Sequence, residues 1–573
     1  MNMAVLTGLL LAAALGPIDA PRFAADLDGH AFVASVPDVR LALPLPGGAA
    51  IVSNLPVSTA PRPLVGLHGG AYLDDYYYRI HITPSRLDLG NIASAQIMPL
   101  WVWNAHFEPR TLTAIDGIAE GVSLTGQPEP PLLYAALQER EYELSVTPDG
   151  TPNLDTGLVW EFDSGESSGS QITATRIVAW PFVPDWSEGI TERLIWATDI
   201  MQSETLAEQR RAIRQAPRRE FDAAFHATGR ERQYLDLLLY GWSARVWVLP
   251  VWPDIQQLPL DLPAGSLSIP CQTADFDFRD GGLALLRGAE AGAVFDIEVV
   301  EVAAVAAGGL SLSRVTERDW PRGARLYPAR TAQLRQAPSL NRRTDRLDSF
   351  DAAFRLSEPS DWPGVAPALT YRNRPLLAAR PNESADLTRQ FYRLLSELDN
   401  GAALPLVTDI GGLALPLLQH RWLGANRAEQ AAYRRLLTWL AGRQQALWLP
   451  THAADLSLAA PMPASGVNID IAYVGYTRFA QNRPGRRDIR IELADGTALH
   501  RRITGAMEVN ANTERLSLDA APGVELSTAN VARISYLCLC RLDSDSVEIR
   551  HQTDSAGVAE CELIFRGVRD DEF

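Results

Sequence analysis

The chain contains no lysine: all 52 of its basic residues are arginine. That excludes a Walker A phosphate loop, a Schiff-base lysine and a Ser–Lys dyad, each of which needs the ammonium group. Four cysteines in 573 residues (Cys271, Cys538, Cys540 and Cys561) are too few for a disulfide framework. Cys538 and Cys540 would share one face of a strand. No CxxC spacing accompanies them and no histidine lies between them, so they read as buried thiols in preference to metal ligands. The nine histidines form neither HExxH nor HxH, which leaves a zinc hydrolase without a ligand set. Residues 4–15 are apolar, but the run is shorter than a membrane span. No arginine precedes it, as a secretory leader requires. It is expected to pack within an N-terminal segment, residues 1–75, with no membrane insertion. A net charge of −17 argues against sequence-independent nucleic-acid binding and against an anionic membrane surface.

What the chain does have is apolar material, 46% against 21% charged, over a length that exceeds one hydrophobic core. Proline-rich stretches at 43–65, 250–263 and 459–464 punctuate it. From 76 to 181 the pattern is β, with short runs at 86–90, 97–104, 111–115, 141–146, 157–162 and 171–180. They are rich in β-branched and aromatic residues and divided by turn signals, as in a β-sandwich. The succession Leu87-Asp88-Leu89-Gly90, Val102-Trp103-Asn104 and Leu112-Thr113-Ala114-Ile115 resembles immunoglobulin-like domains of the ASPM/Hydin kind. The resemblance implies an interaction or spacer module.

Two later segments, residues 228–250 and 426–450, echo one another. Each opens with a helix-start signal, Thr228 with Glu231 and Asn426 with Glu429. Each then spaces apolar residues helically: Tyr234, Leu237, Leu238 and Gly241 in one, Tyr433, Leu436, Leu437 and Leu440 in the other. Each passes a glycine, Gly241 or Gly442, into a short aromatic strand that closes on proline, Pro250 or Pro450. A strand is predicted before each helix, 220–225 or 415–422, and a β-rich region follows each, 262–315 or 466–569. A period of this length indicates duplicated domains, not a solenoid. Expected boundaries are 76–181 for the sandwich, 182–260 for a first module, 261–335 for a β-rich extension, 336–460 for a second module and 461–573 for a C-terminal β-rich domain.

The segment Glu208-Gln209-Arg210-Arg211, then Arg218-Arg219-Glu220-Phe221-Asp222, the capped helix and the Trp247–Trp252 strand resemble phage distal tail proteins, including those of gene transfer agents. The second copy, with Gln419-His420-Arg421-Trp422 and Gly442-Arg443-Gln444, is similar to phage tail proteins as well. This resemblance implies a structural, non-enzymatic component of a tail tip or baseplate, needing no cofactor. It would be assembled in the host cytoplasm and carried in the virion. Its partners would be tail tube, tape measure and hub, with copies of itself forming a ring. Three chains bearing two equivalent modules would match a six-fold tube to a three-fold hub; six chains would also suit the tail. Candidate interface residues are Arg210, Arg211, Arg218, Arg219, His420, Arg421 and Trp422. In an acidic protein the arginines are better placed against carboxylates than on DNA. Residues 413–418, ahead of the second helix, are apolar and lack this basic character, so two different module contacts are expected.

Other motifs admit catalytic readings. Gly165-Glu166-Ser167-Ser168-Gly169 matches G-x-S-x-G, and His68-Gly69-Gly70 resembles an esterase oxyanion segment. A nucleophile elbow needs a helix after the serine, whereas residues 171–178 read as strand. Asp275, Asp277 and Asp280 miss the EF-hand register and read as a solvated turn. Trp160-Glu161-Phe162-Asp163 would suit a glycosidase cleft, or simply a strand with one face in and one out. The expected class is therefore a β-rich, multidomain α+β protein: an Ig-like sandwich and two duplicated, tail-tube-like β-sandwich modules, each flanked by a helix. A virion-associated hydrolase (esterase or glycosidase) and a carbohydrate-binding adsorption protein are the alternatives.

Overall fold

The computed structural model describes residues 76–569 apart from 93–94, 149–152, 243–244, 291 and 403. The N-terminal segment with its apolar run, and His68-Gly69-Gly70, lie outside the described residues. The chain is β-rich, 49% strand against 8% helix, in several antiparallel sheets. It divides into two units, one ending at Arg176 and the other beginning at Ile177.

In the first unit a four-stranded sheet contains Ile80–Thr83, Gln96–Asn104, Glu139–Val146 and Val122–Thr125. A five-stranded sheet contains Arg86–Ile92, Ser167–Arg176, Asn153–Phe162, Arg110–Asp116 and Leu132–Tyr134. Alternation works as strand geometry dictates: Tyr142, Leu144 and Val146 on one sheet, and Leu158, Trp160 and Phe162 on the other, enter a single core. Tyr134 and Tyr142 meet there through their hydroxyls at 3.0 Å. The expected boundary at 181 moves. Trp180 belongs to the second unit, where it packs edge-on against Phe225, Trp247 and Phe354.

The second unit has two halves built on one pairing scheme. In the first half the elements are β1 (Ile190–Ile195), β2 (Arg218–Thr228), helix α1 (Gly229–Trp242) and β3 (Val246–Pro250). They continue with β4 (Ser268–Pro270), β5 (Leu283–Arg287), β6 (Ile297–Ala306), β7 (Gly309–Leu312), β8 (Arg325–Leu334) and β9 (Leu347–Leu356). The second half has β10 (Arg389–Tyr392), β11 (Leu415–Gly424), α2 (Arg427–Leu440), β12 (Ala446–Pro450) and β13 (Asn468–Ala472). After them come β14 (Asp488–Leu493), β15 (Ala498–Asn510), β16 (Thr513–Leu518), β17 (Val531–Leu542), β18 (Ser546–His551) and β19 (Ala559–Gly567).

The pairings β1–β2, β2–β9, β3–β8, β8–β9, β4–β7, β6–β7, β5–β6 and β5–β8 are all antiparallel. In the same order they recur as β10–β11, β11–β19, β12–β17, β17–β19, β13–β16, β15–β16, β14–β15 and β14–β17. The boundaries expected at 260 and 335 therefore cut through hydrogen-bonded sheet. Residues 261–335 are the middle of the first half, and β9, assigned beyond 335, pairs with β2 and β8.

The two helices occupy the same place with different burial. Asn426 caps α2, accepting from Glu429 N at 3.0 Å, while the Glu429 carboxylate accepts from Ala425 N at 2.9 Å. The Asn426 cap and Glu429 three residues on act together as the sequence signal implies, although Glu429 reaches the backbone N–H one residue before the cap and the Asn426 side-chain amide in place of the cap's own N–H. Helix α2 buries Leu436, Leu437 and Leu440, and Tyr433 stacks on Trp422 with centroids 3.9 Å apart. Helix α1 fully buries only Leu235. Leu237, expected inward, is 69% exposed, while Tyr234 is half-buried beside Phe182 and Phe295. Aligned by their first residues, the helices match Tyr433 with Leu235, one position from the match expected with Tyr234.

Candidate assembly interface

The halves join by sheet extension. Strand β1 pairs with β18 over six residues, from Ile190 opposite His551 to Ile195 opposite Ser546. The strand Ile-Thr-Glu-Arg-Leu-Ile turns Ile190, Glu192 and Leu194 inward. From the other half, Val547, Ile549 and His551 turn inward to meet them. Leu194 and Trp196 complete the apolar core of the second half, alongside Leu440, Leu447 and Ile549.

A carboxylate at an inward strand position needs compensation, and Glu192 receives it from both halves. Arg219 Nε lies 2.6 Å from Glu192 Oε1; Arg434 Nη2 and His551 Nε2 lie 3.1 and 2.8 Å from Oε2. Around this centre are Asp254, held by Arg427 at 2.6 Å and Arg434 at 3.3 Å, and Asp277, paired with Arg219 and Arg330. Three buried carboxylates (Glu192, Asp254 and Asp277) thus face two guanidinium groups of their own half, Arg219 and Arg330. Helix α2 supplies two more, Arg427 and Arg434, which also lie over the rings of Phe276 and Trp362 at 4.6 and 4.8 Å.

Burial alone would raise the Glu192 carboxyl, but Arg219, Arg434 and His551 hold it well below its usual range. Asp277 likewise reaches about 2, burial being outweighed by Arg219 and Arg330. Burial lowers His551 despite the nearby Glu192. The neutral ring then donates from Nε2 to Glu192 and accepts on Nδ1 from Gln430 at 3.2 Å.

A second latch lies at the end of the seam. Asp545 accepts from Thr198 N and Oγ1, each at 2.8 Å, and from Arg443 N at 2.9 Å. Gly442, at φ +66, permits it: a Cβ there would collide with the Asp545 carboxylate. The hairpin Thr198–Gln202 with Glu208–Ala212 reaches across as well. There Glu208 forms a two-pronged pair with Arg541, both bonds 2.7 Å.

The seven candidate residues distribute unevenly. Arg219 is buried at the centre of the junction, so its carboxylate partners lie within the chain. Arg210 is half-buried on the hairpin, while Arg211 and Arg218 are exposed. His420 is buried, its pKa lowered by that burial, with its ring edge-on to Phe565. Trp422 is core. Arg421 pairs with Glu562 at 3.2 Å. It lines a groove of about 640 Å³ over the seam with Glu188, Thr191, Glu548, Arg550 and Glu560. Those walls are ionic, unlike the largely apolar lining of a small-molecule pocket. The residues that fasten the halves, Glu192, Asp254, Arg434 and His551, were not singled out from the sequence. The available signal was a carboxylate at an inward position between Ile190 and Leu194.

The motifs with catalytic readings fall as follows. Ser167 begins a strand that pairs antiparallel with Asn153–Phe162, and no helix follows it. Glu166 accepts from Ile80 N and pairs with His106, both at 2.8 Å. Trp160 and Phe162 point into the core while Glu161 and Asp163 point out. The aspartates read as a solvated turn are otherwise engaged: Asp277 is buried, Asp275 pairs with Arg435, and Asp280 accepts from Val305 N at 2.6 Å. Cys538, Cys540 and Cys561 are buried strand residues. Among the described residues no group of His, Cys, Asp or Glu is arranged to hold a metal ion. No helix among them is long and apolar enough to cross a membrane. No protein-family model matches the chain, and no curated protein matches it either.

Proposed function

We propose that this chain is a structural, non-catalytic component of a phage tail tip or baseplate, a distal-tail-like adaptor joining tail tube to hub or receptor-binding parts. The observation that carries the assembly reading is the recurring pairing scheme, whose two copies are fastened by sheet extension and a buried ionic junction. The phage setting rests on the sequence resemblance around Glu208–Ala212 and the strand–helix–strand elements of both halves. In this reading the first unit is an Ig-like spacer, and the halves of the second are duplicated tail-type modules. They form a homo-oligomeric ring, of three chains by preference or of six, in the virion.

Gold-labelled antibody against the chain, applied to tailed particles from cells that encode it, tests this reading. Label at the tail tip is expected; particles that lack the chain, or carry it elsewhere, overturn it.

A second reading, glycan adsorption through the first unit, draws on one observation. Tyr76, Tyr77, Tyr78, Trp103 and Phe107 form a continuous aromatic cluster there, with Tyr78 and Phe107 about half exposed. Such rings suit the apolar faces of sugars. Retention of the chain on host-surface polysaccharide, lost in Tyr78→Ala with Phe107→Ala, would favour it.

A further inference from the structure

The elements that join the two halves have counterparts at the outer edges of the second unit, and among the described residues no strand covers those counterparts. The counterpart of β1 is residues 387–392, which includes β10. At equal spacing before β2 and β11, Thr388 stands for Thr191, Arg389 for Glu192, Gln390 for Arg193 and Phe391 for Leu194. Where Glu192 is fully buried and Leu194 nearly so, Arg389 is exposed and Phe391 is 55% exposed. The counterpart of β18 is residues 337–342. Asn341 and Arg342 pair with β9 as Arg550 and His551 pair with β19, but among the described residues no strand pairs with the outer side of residues 337–342.

The hairpin that crosses the internal seam also has a counterpart, Leu395–Leu398 with Leu406–Asp409. It is apolar and exposed, Leu398 at 70% and Leu404 in its loop at 95%. On the opposite edge, helix α1 shows Leu237 and Tyr240, the latter 94% exposed. Uncovered apolar groups on both edges of one molecule are a liability unless the edges meet. Within a single chain the same scheme has already shown how such edges meet.

We propose that the strand edge at 387–392 accepts the edge at 337–342 of a second copy of this chain, antiparallel and in the register of the internal junction. Gln390 then faces Ser339, as Arg193 faces Glu548, and Phe391 faces Pro338, as Leu194 faces Val547. The charges exchange sides. Arg389 takes the place of Glu192, and Asp236, the α1 counterpart of Arg434, takes the place of the arginine. The inner contact is therefore ionic and shielded by arginine, whereas the outer contact is largely apolar with one reversed pair. Different surfaces meet at each step, so the contact is heterologous and, repeated, closes a ring or runs into a filament. The inference deepens the assembly reading but needs nothing from the phage setting.

The test uses the full chain with Cys271→Ser, which removes the half-exposed thiol and leaves the three buried ones. One preparation carries Gln390→Cys and another Ser339→Cys; each is oxidised alone, and then the two are oxidised as a mixture. A disulfide-linked dimer in the mixture and none in either preparation alone is the expected result. A dimer from one variant alone signals a two-fold contact, and no dimer in the mixture means that something else covers the edge; either result overturns the proposal. Phe391→Arg added to the first preparation should abolish the cross-link while leaving the thermal melt unchanged; a persistent cross-link would also overturn it. A chain bearing both cysteines yields a ladder whose last rung counts copies, so six against three corrects the ring size without touching the contact. Cross-linking by a chain absent from tailed particles would sink the phage setting alone, and label at the tail tip without cross-linking would sink the contact alone.

Discussion

Arg434 is the side chain on which the internal junction turns, and its removal has a calculable effect. It is buried, and its fork spans carboxylates from two separate segments of the other half, Glu192 at 3.1 Å and Asp254 at 3.3 Å. Replacing it with Met keeps the stem but deletes both charge-assisted bonds and the guanidinium's place over the Trp362 ring. Each such bond contributes about 1.5–3 kcal/mol, and breaking a buried ion pair from one side costs about 3–5 kcal/mol. The carboxylates keep other partners, Arg219 and His551 for Glu192 and Arg427 for Asp254. The lower end therefore applies, about 3 kcal/mol, or a factor of roughly 160 in the folding equilibrium. Equilibrium urea unfolding followed by tryptophan fluorescence measures it, with Trp362 beneath the guanidinium as a local reporter. A double-mutant cycle with Glu192→Gln should return a coupling of about 1.5–3 kcal/mol, and Arg434→Lys, which keeps the charge but not the planar fork, should fall between. A loss below about 1 kcal/mol, or a more stable Met variant, would show that burying these ions costs as much as pairing them returns.

Four further outcomes follow from the same structure. His420, His452, His500 and His551 are all lowered by burial, His452 and His500 to about 4, so the folded rings stay neutral while the unfolded ones take up protons. Stability is then complete above about pH 6.5 and falls as the pH drops below it; a melting temperature that stays flat from pH 7.5 to 5 would contradict this. Asp277, held at about 2 against an ordinary 3.8, adds about 2–3 kcal/mol above pH 4 that vanishes as the pH falls through 2, readable as an acid-unfolding midpoint that rises in Asp277→Asn. Trp422→Ala removes a buried ring stacked on Tyr433 and should cost about 3–5 kcal/mol, whereas Asn426→Ala, losing only the α2 cap, should cost about 1 kcal/mol; both are measured by denaturant titration. Ser167→Ala, on an exposed strand start, should change stability by less than about 0.5 kcal/mol and leave any esterase background untouched; a rate lost in this variant would revive the hydrolase reading.

Periodicity and punctuation along the chain determined the local elements. Runs rich in β-branched and aromatic residues between turn signals marked six of the nine described strands of the first unit. The missed ones, such as Leu132–Tyr134, are too short to stand out from the loops around them. Helix-start signals and helical spacing in the sequence located α1 and α2 between their strands, and at α2 the capping residue Asn426 does accept the bond expected of it. The carboxylate inside the alternation of β1 was visible too, but a strand does not say what will face it. Tertiary structure alone decided that Arg434 and His551, far along the chain, close over Glu192. It also decided that β9 completes the first half instead of opening the second, since strand partners are set by long-range pairing and not by neighbouring sequence. The unequal burial of α1 and α2 has the same origin. Near-equal helical patterns met different surroundings, one covered by the chain's other half and one left at an open edge.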